Sequence, residues 1–238
     1  MKKTILFILL FCSLLSGFAQ SGSAFGVKGG LSLGTQKWNS LNQGVLFAWH
    51  GDAYIESLTE NNAFSLIGQL GYHVRGSARR NQRIFNSTGS NFTQINQSFE
   101  FNNISLMVGA KQKKDFRANS KLYYLIGLRG EYTLSTNLDE YEDFCPGFYP
   151  LETFTRKYNF GLTAGGGFEF MFSKLFGGFI EFAVLPDITY QYDQPAINNV
   201  PSCFNVGQSI NIGERRIRNV AFEISLGIRL LRIVEYVD

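Results

Sequence analysis

The sequence predicts an all-β protein: an eight-stranded antiparallel transmembrane β-barrel with short periplasmic turns and longer extracellular loops. Three observations predict it. The first is an alternation held too long for an ordinary soluble strand. From Tyr158, every second residue is apolar or small (Phe160, Leu162, Ala164, Gly166, Phe168, Phe170, Phe172), with Asn159, Gly161, Thr163, Gly165, Gly167, Glu169 and Met171 between them, over 15 residues. Soluble strands run to about 5–6 residues, whereas a tilted strand crossing a bilayer needs about 9–11. The second is that eight such segments follow one another with alternately long and short connections, the asymmetry of exported barrels. The third is the content of the polar faces. They hold mostly Gly, Ser, Asn and Thr, with charges of both signs at Lys28, Asp52, Glu56, Arg75, Lys111, Arg129, Glu131, Glu169, Glu181, Glu223 and Arg229. Small residues and opposed charges suit a narrow lumen where carboxylates and guanidiniums pair. The outer face of a soluble sandwich or lipocalin-like barrel would be rich in Lys and Glu and poor in glycine.

Met1–Gln20 reads as a secretory signal peptide. Lys2 and Lys3 open it, Ile5 to Leu15 is its apolar run, and Gly17-Phe18-Ala19 predicts cleavage after Ala19. The division is therefore 1–19 signal peptide and 20–238 barrel. Cys12 does not mark a lipoprotein, because Phe11 stands where a small residue is required. No other stretch approaches the roughly 18 apolar residues of a membrane helix. Without Lys2 and Lys3 the formal charge falls from +3 to +1, which gives no electrostatic case for nucleic acid. Charged residues are 17% of the chain against an average near 25%, and aromatics are 15%. That balance fits a wall with dry surfaces on both sides.

The mature chain opens with Phe25, Val27, Gly29, Leu31 and Leu33 alternating with Gly26, Lys28, Gly30, Ser32 and Gly34. After a polar loop (Thr35–Gln43), Val45, Phe47, Trp49, Ala53 and Ile55 oppose Ala48, His50, Asp52, Tyr54 and Glu56. Beyond a tight turn (Thr59–Asn62), Phe64, Leu66, Leu70, Tyr72 and Val74 oppose Ser65, Gln69, His73 and Arg75. A long polar loop is predicted from Gly76 to Ser98. The fourth strand carries Ile104, Leu106, Val108 and Ala110 outward and Asn103, Ser105, Gly109 and Lys111 inward, then meets a charged turn (Lys113–Ser120). In the fifth, Leu122, Tyr124, Ile126, Leu128 and Tyr132 oppose Tyr123, Gly127, Arg129, Glu131 and Thr133. A second long loop (Ser135–Thr155) leads to the Tyr158 strand. Ser173-Lys174 reverses the chain there, and the return strand puts Ile180, Phe182 and Val184 on one face. A third long loop (Pro186–Arg216) precedes the last strand, with Phe222, Ile224, Leu226, Ile228 and Leu230 outward and Glu223, Ser225, Gly227 and Arg229 inward.

This order puts both termini in the periplasm and both mature cysteines, Cys145 and Cys203, in outer loops. An even pair in an exported protein predicts a disulfide. Arg129 with Glu131, and Arg229 with Glu223, read as structural lumen pairs. Eight strands enclose an interior that side chains fill, so a wide channel is not expected. His50 and His73 fall diagonally close on neighbouring strands, with Asp52 and Ser65 on the same face. A metal or acyl-transfer site is conceivable there, but hydrogen-bonding residues of a polar plug are the expectation, with no catalytic, cofactor or metal-binding residue. The outer loops carry basic residues (Arg79, Arg80 and Arg83, with Arg75 at their edge, and Arg215, Arg216 and Arg218) and acidic ones (Asp139, Glu140, Glu142, Asp143). These suit either a partner or lipopolysaccharide surface, or loops that pair with each other in water. The last loop, with Tyr190, Tyr192, Phe204, Arg215 and Arg216, is longer than a connection needs and is the first candidate for recognition.

The opening Gly26-Val27-Lys28-Gly29-Gly30-Leu31 resembles the G-x-K-G-G-L start of the PorT-like small outer-membrane β-barrels of Bacteroidota. The resemblance covers nearly all the mature chain in architecture and this one strand as a motif. It implies a barrel in the cell outer membrane touching outer-membrane lipid, in a family most of whose members have no assigned activity; the residues themselves point to a non-enzymatic barrel without cofactor. It also implies an accessory subunit of an envelope complex, for example in type IX protein secretion. A narrow solute channel and a free-standing envelope or adhesion barrel are the alternatives, with a lipid-modifying barrel enzyme the least expected. The chain departs from many outer-membrane barrels in ending Glu235-Tyr236-Val237-Asp238 rather than on an aromatic residue.

Overall fold

The structure is a computed structural model that describes residues 22–36, 38, 43–58, 63–82, 95–117, 119–142, 149–202 and 207–232. Several sequence expectations lie outside the described residues: the signal peptide of residues 1–19, the turn Thr59–Asn62, Cys145 and Cys203 with their disulfide, Phe204, and the C-terminal Glu235 to Asp238.

Alternating apolar and polar residues leave a strand with one greasy face, and a sheet of such strands hides its polar face by closing on itself. Eight strands do so here: β1 (Ser23–Gln36), β2 (Leu46–Ser57), β3 (Phe64–Gln82), β4 (Ile95–Arg117), β5 (Ser120–Thr136), β6 (Tyr158–Met171), β7 (Phe176–Pro186) and β12 (Asn219–Arg232). Each pairs antiparallel with its neighbours in chain order. Closure comes from β1 against β12, in register from Ser23 opposite Arg232 to Gln36 opposite Asn219. No edge strand remains in the barrel. Among the described residues no helix is long and apolar enough to cross a membrane.

The strands outrun the predicted segments at the loop end. Both ends of the polar stretch Gly76–Ser98 are strand, since β3 continues to Gln82 and β4 begins at Ile95. Its residues read as a loop because a ribbon standing above the apolar belt has no need of an apolar face. The charged turn Lys113–Ser120 is likewise mostly strand, and Lys113 points inward, two residues on from Lys111. The stretch Ser135–Thr155 keeps β5 to Thr136, then forms a short helix α1 (Asp139–Glu142) and a 3-10 turn at Glu152–Phe154. The stretch Pro186–Arg216 contains four short strands, β8 (Tyr192–Gln194), β9 (Ile197–Pro201), β10 (Ser209–Ile212) and β11 (Arg215–Ile217), paired as β8–β11 and β9–β10.

One seam is irregular. β2 and β3 pair from His50 opposite His73 to Glu56 opposite Ile67 and, among the described residues, meet again only at the Gly44–Ala78 bridge. Between them lies Gly76, at φ +150°, where a Cβ would sit 1.9 Å from the Phe99 carbonyl oxygen. Only glycine fits that approach. The bend carries β3 inward across the mouth, and Ser77 Oγ donates to Gln36 Oε1 of β1 at 2.8 Å. Val74, expected on the outer face, is consequently buried with Leu46 and Ala78.

Candidate functional site

The barrel presents three surfaces: a wall, a lumen and a cap. The wall is apolar throughout, with Val27 57% exposed, Leu128 69% and Leu226 65%. Exterior grease this continuous would aggregate in water and is satisfied by acyl chains, so the wall is that of a transmembrane barrel. Aromatic residues mark both rims. Trp49 lies 5.1 Å from Tyr72, and Tyr132 lies 5.2 Å from Tyr158, towards the loop end. Phe116 and Phe168, and the run Phe170, Phe172 and Phe176, gather towards the turn end.

Inside, β-alternation sends the polar residues to a common axis, where they form two charge clusters joined by a third pair. At the turn end, Lys111 Nζ lies 2.5 Å from Glu169 and 3.4 Å from Glu56. Lys113 contacts both carboxylates, Glu169 at 3.0 Å. Arg229 approaches Glu169 at 3.3 Å and Glu56 at 3.8 Å, and Ser65 donates to Glu56 at 2.7 Å. Above them sits an apolar layer of Tyr54, Ile67, Met107, Tyr123, Leu125 and Phe179. The Lys111 ammonium lies 3.8 Å above the Tyr123 ring, a cation–π contact, while the Tyr123 hydroxyl donates to Glu181 at 2.8 Å. Glu181 in turn holds Lys28 at 2.6 Å.

The second cluster lies towards the loop end. His50 and His73 face each other in register with rings stacked 5.5 Å apart. His73 contacts Glu223 at 2.8 Å through Nδ1 and Asp52 at 3.0 Å through Nε2. Arg75 Nη2 also lies 3.3 Å from His73 Nδ1. Arg75 donates to Glu223 at 2.9 Å and Glu131 at 3.1 Å. Arg129 lies 3.0 Å from Glu131 and 2.5 Å from Asp187, and Asp187 also accepts from Asn159 and Asn219. The cavity between Lys28, Asp52, Gln69, His73, Arg129 and Glu223 is about 10 Å³, roughly one water molecule. The lumen is therefore a plug, with six Lys or Arg set against seven carboxylates and His73 between them.

The cap closes the loop end. Trp38, Phe99, Phe101, Leu138, Tyr149, Tyr192 and Ile217 form one buried cluster, with Tyr141 and Phe154 against it. Trp38 is 5.1 Å from Phe99 and 6.1 Å from Tyr192. The Tyr192 hydroxyl donates to Gln194 at 2.6 Å and accepts the Leu151 N–H at 3.0 Å. Burial pushes that hydroxyl above the usual tyrosine range, so it stays protonated.

The predicted site residues separate into three groups. Arg129 and Glu131 are brought together, as part of a larger network. Arg229 and Glu223 are not: both point inward from β12, but six residues apart, so each finds partners in a different cluster. Arg75 is not a loop cation but a fully buried lumen residue. Of the recognition candidates, Tyr192 and Arg215 are buried within the cap. Tyr190 and Arg216 remain near the surface, with Arg218 4.2 Å and Arg216 5.8 Å over the Tyr190 ring. Arg216 and Arg156 share Asp193. Sequence reasoning missed Lys113 and Asp187 as lumen residues. The signal was present, since Lys113 continues the inward parity of Lys111 and Asp187 that of Glu181.

No protein-family model matches the chain, and no curated protein does. Among solved structures, the chain is similar to Ail, the attachment invasion locus protein of Yersinia pestis, crystallised with the heparin analogue sucrose octasulfate. The identity is 12% over 89% of this chain and 100% of that one, with a TM-score of 0.40. It is also similar to the outer membrane protein OprG from Pseudomonas aeruginosa, at 8% identity over 88% of this chain and 97% of that one, with a TM-score of 0.47. Likeness this loose carries no functional argument.

Proposed function

We propose that the chain is a non-enzymatic barrel of the cell outer membrane that works as a structural or accessory subunit of a larger envelope complex. The observation that carries this reading is the division between a filled lumen and an ordered cap. The filled middle of the lumen leaves no path through the barrel, so the surfaces offered to partner macromolecules are the lipid-facing wall and the cap. His50 and His73 favour the same reading. Both are buried, and His50 Nε2 and both His73 ring nitrogens contact Ser225, Asp52 and Glu223 of the plug. The Gly26–Leu31 motif resembles that of the PorT-like barrels and supports an accessory role in protein secretion, of the type IX kind. Outer-membrane lipid is the partner of the wall, and other outer-membrane or secretion proteins are the partners of the cap. On this reading the cap and its long connections face outward, and the turns and the ends at Gly22 and Arg232 face the periplasm.

The test is a mild-detergent pull-down of a C-terminally tagged protein from its native membrane, with mass spectrometry of what accompanies it. A stoichiometric partner is expected, and its recovery falls when Tyr190→Ala and Arg216→Glu are combined. A barrel recovered alone at full yield would contradict the subunit reading and leave a free-standing envelope protein.

A further inference from the structure

We propose that the turn end of the lumen binds a small oxyanion, of phosphate or carboxylate chemistry, with Arg229 as its principal ligand. A cavity of about 100 Å³ opens there, lined by Arg117, Asn119, Ser120, Lys121, Glu169 and Arg229 among others. The charges around it do not balance. The buried cluster behind it holds Lys111, Lys113 and Arg229 against only Glu56 and Glu169. At the mouth, Lys121 has Asp115 at 3.2 Å, while the Arg117 side chain contributes a further positive charge.

Arg229 is the member left over. Lys111 and Lys113 sit close against the two carboxylates, whereas Arg229 reaches them only at 3.3 and 3.8 Å. Among the described residues its one contact of hydrogen-bond type is to the Met171 sulfur at 4.0 Å, and its Nε has no partner there. The residue is only 6% exposed. A guanidinium carries five donors in a planar fork, and a buried fork left unfilled is costly. An oxyanion in the cavity would take two of those donors side by side, the geometry that suits carboxylates and phosphates. Glu169 does not bar it, because that carboxylate is already held by two lysines. The cavity suits a free ion of phosphate or acetate size rather than a nucleotide.

The probes are inorganic phosphate and acetate, added at constant ionic strength to the mature protein refolded in zwitterionic detergent. Phosphate is followed by ³¹P line broadening and by the shift of the thermal midpoint. Saturable phosphate binding is expected, weakened about tenfold or more by Arg229→Gln and less by Arg117→Gln with Lys121→Gln. Arg229→Gln leaves two lysines facing two carboxylates, so the barrel should still show a heat-dependent gel shift. If it does not fold, the paired mouth variant carries the comparison. Competition by acetate would extend the site to carboxylates, and its absence would restrict it to tetrahedral anions. No saturable phosphate binding to the wild type, or binding unchanged in the variants that fold, would overturn the proposal.

Discussion

Glu56→Gln is expected to destabilise the folded barrel by about 3–5 kcal/mol, the usual cost of removing one partner from a buried ion cluster. Glu56 is fully buried and takes contacts from Lys111, Lys113, Arg229 and Ser65. The substitution keeps the shape and removes the charge, leaving three cations around Glu169 alone. Denaturant unfolding from micelles, read by tryptophan fluorescence and by the gel shift, measures the loss. Adding Lys113→Met to Glu56→Gln removes a cation with the anion and restores the original charge difference. The double variant should recover most of the stability, and the cycle isolates the coupling. A Glu56→Gln protein as stable as wild type would mean that water solvates the lysines as well as Glu56 does.

Tyr192→Ala should cost about 3–5 kcal/mol as well, but locally, in the cap. Tyr192 packs on Trp38 and Phe154 and bridges Gln194 to the Leu151 amide. Its loss opens a cavity at the centre of the cluster, among elements that the barrel strands do not need for their own pairing. Limited proteolysis should therefore cut the connections between β5 and β6 and between β7 and β12, while the strand core survives and still shifts on heating. Tyr192→Phe keeps the ring and loses one donor and acceptor, for about 1–2 kcal/mol. Proteolysis that degrades cap and barrel together would show that the two unfold as one unit.

The parts of the fold that lie within the apolar belt were legible from sequence, because a bilayer imposes strict alternation on every strand that crosses it. Phe25 to Leu33, Leu122 to Tyr132 and Phe222 to Leu230 all carry that alternation, and the strand order followed from connection lengths. Outside the belt the constraint lapses. The β3–β4 ribbon reads as polar loop, and Phe99 and Phe101 gave no sign that they fill the mouth. Parity placed most lumen charges on the correct face but could not assign partners. Strand tilt decides which residues share a level, so Glu223 meets Arg75 and His73 across the lumen rather than Arg229 along its own strand. The seam at Gly76 was hidden because a glycine in a strand does not announce which neighbour approaches it.

Above the turn-end cavity, side chains close this barrel, and planar-bilayer recording of the purified mature protein tests that most directly. The lumen described here predicts no stable conductance step for the wild type under moderate voltage. A steady ohmic conductance that changes on Arg129→Gln or Glu131→Gln would contradict it, and would make the ion network the lining of an open path.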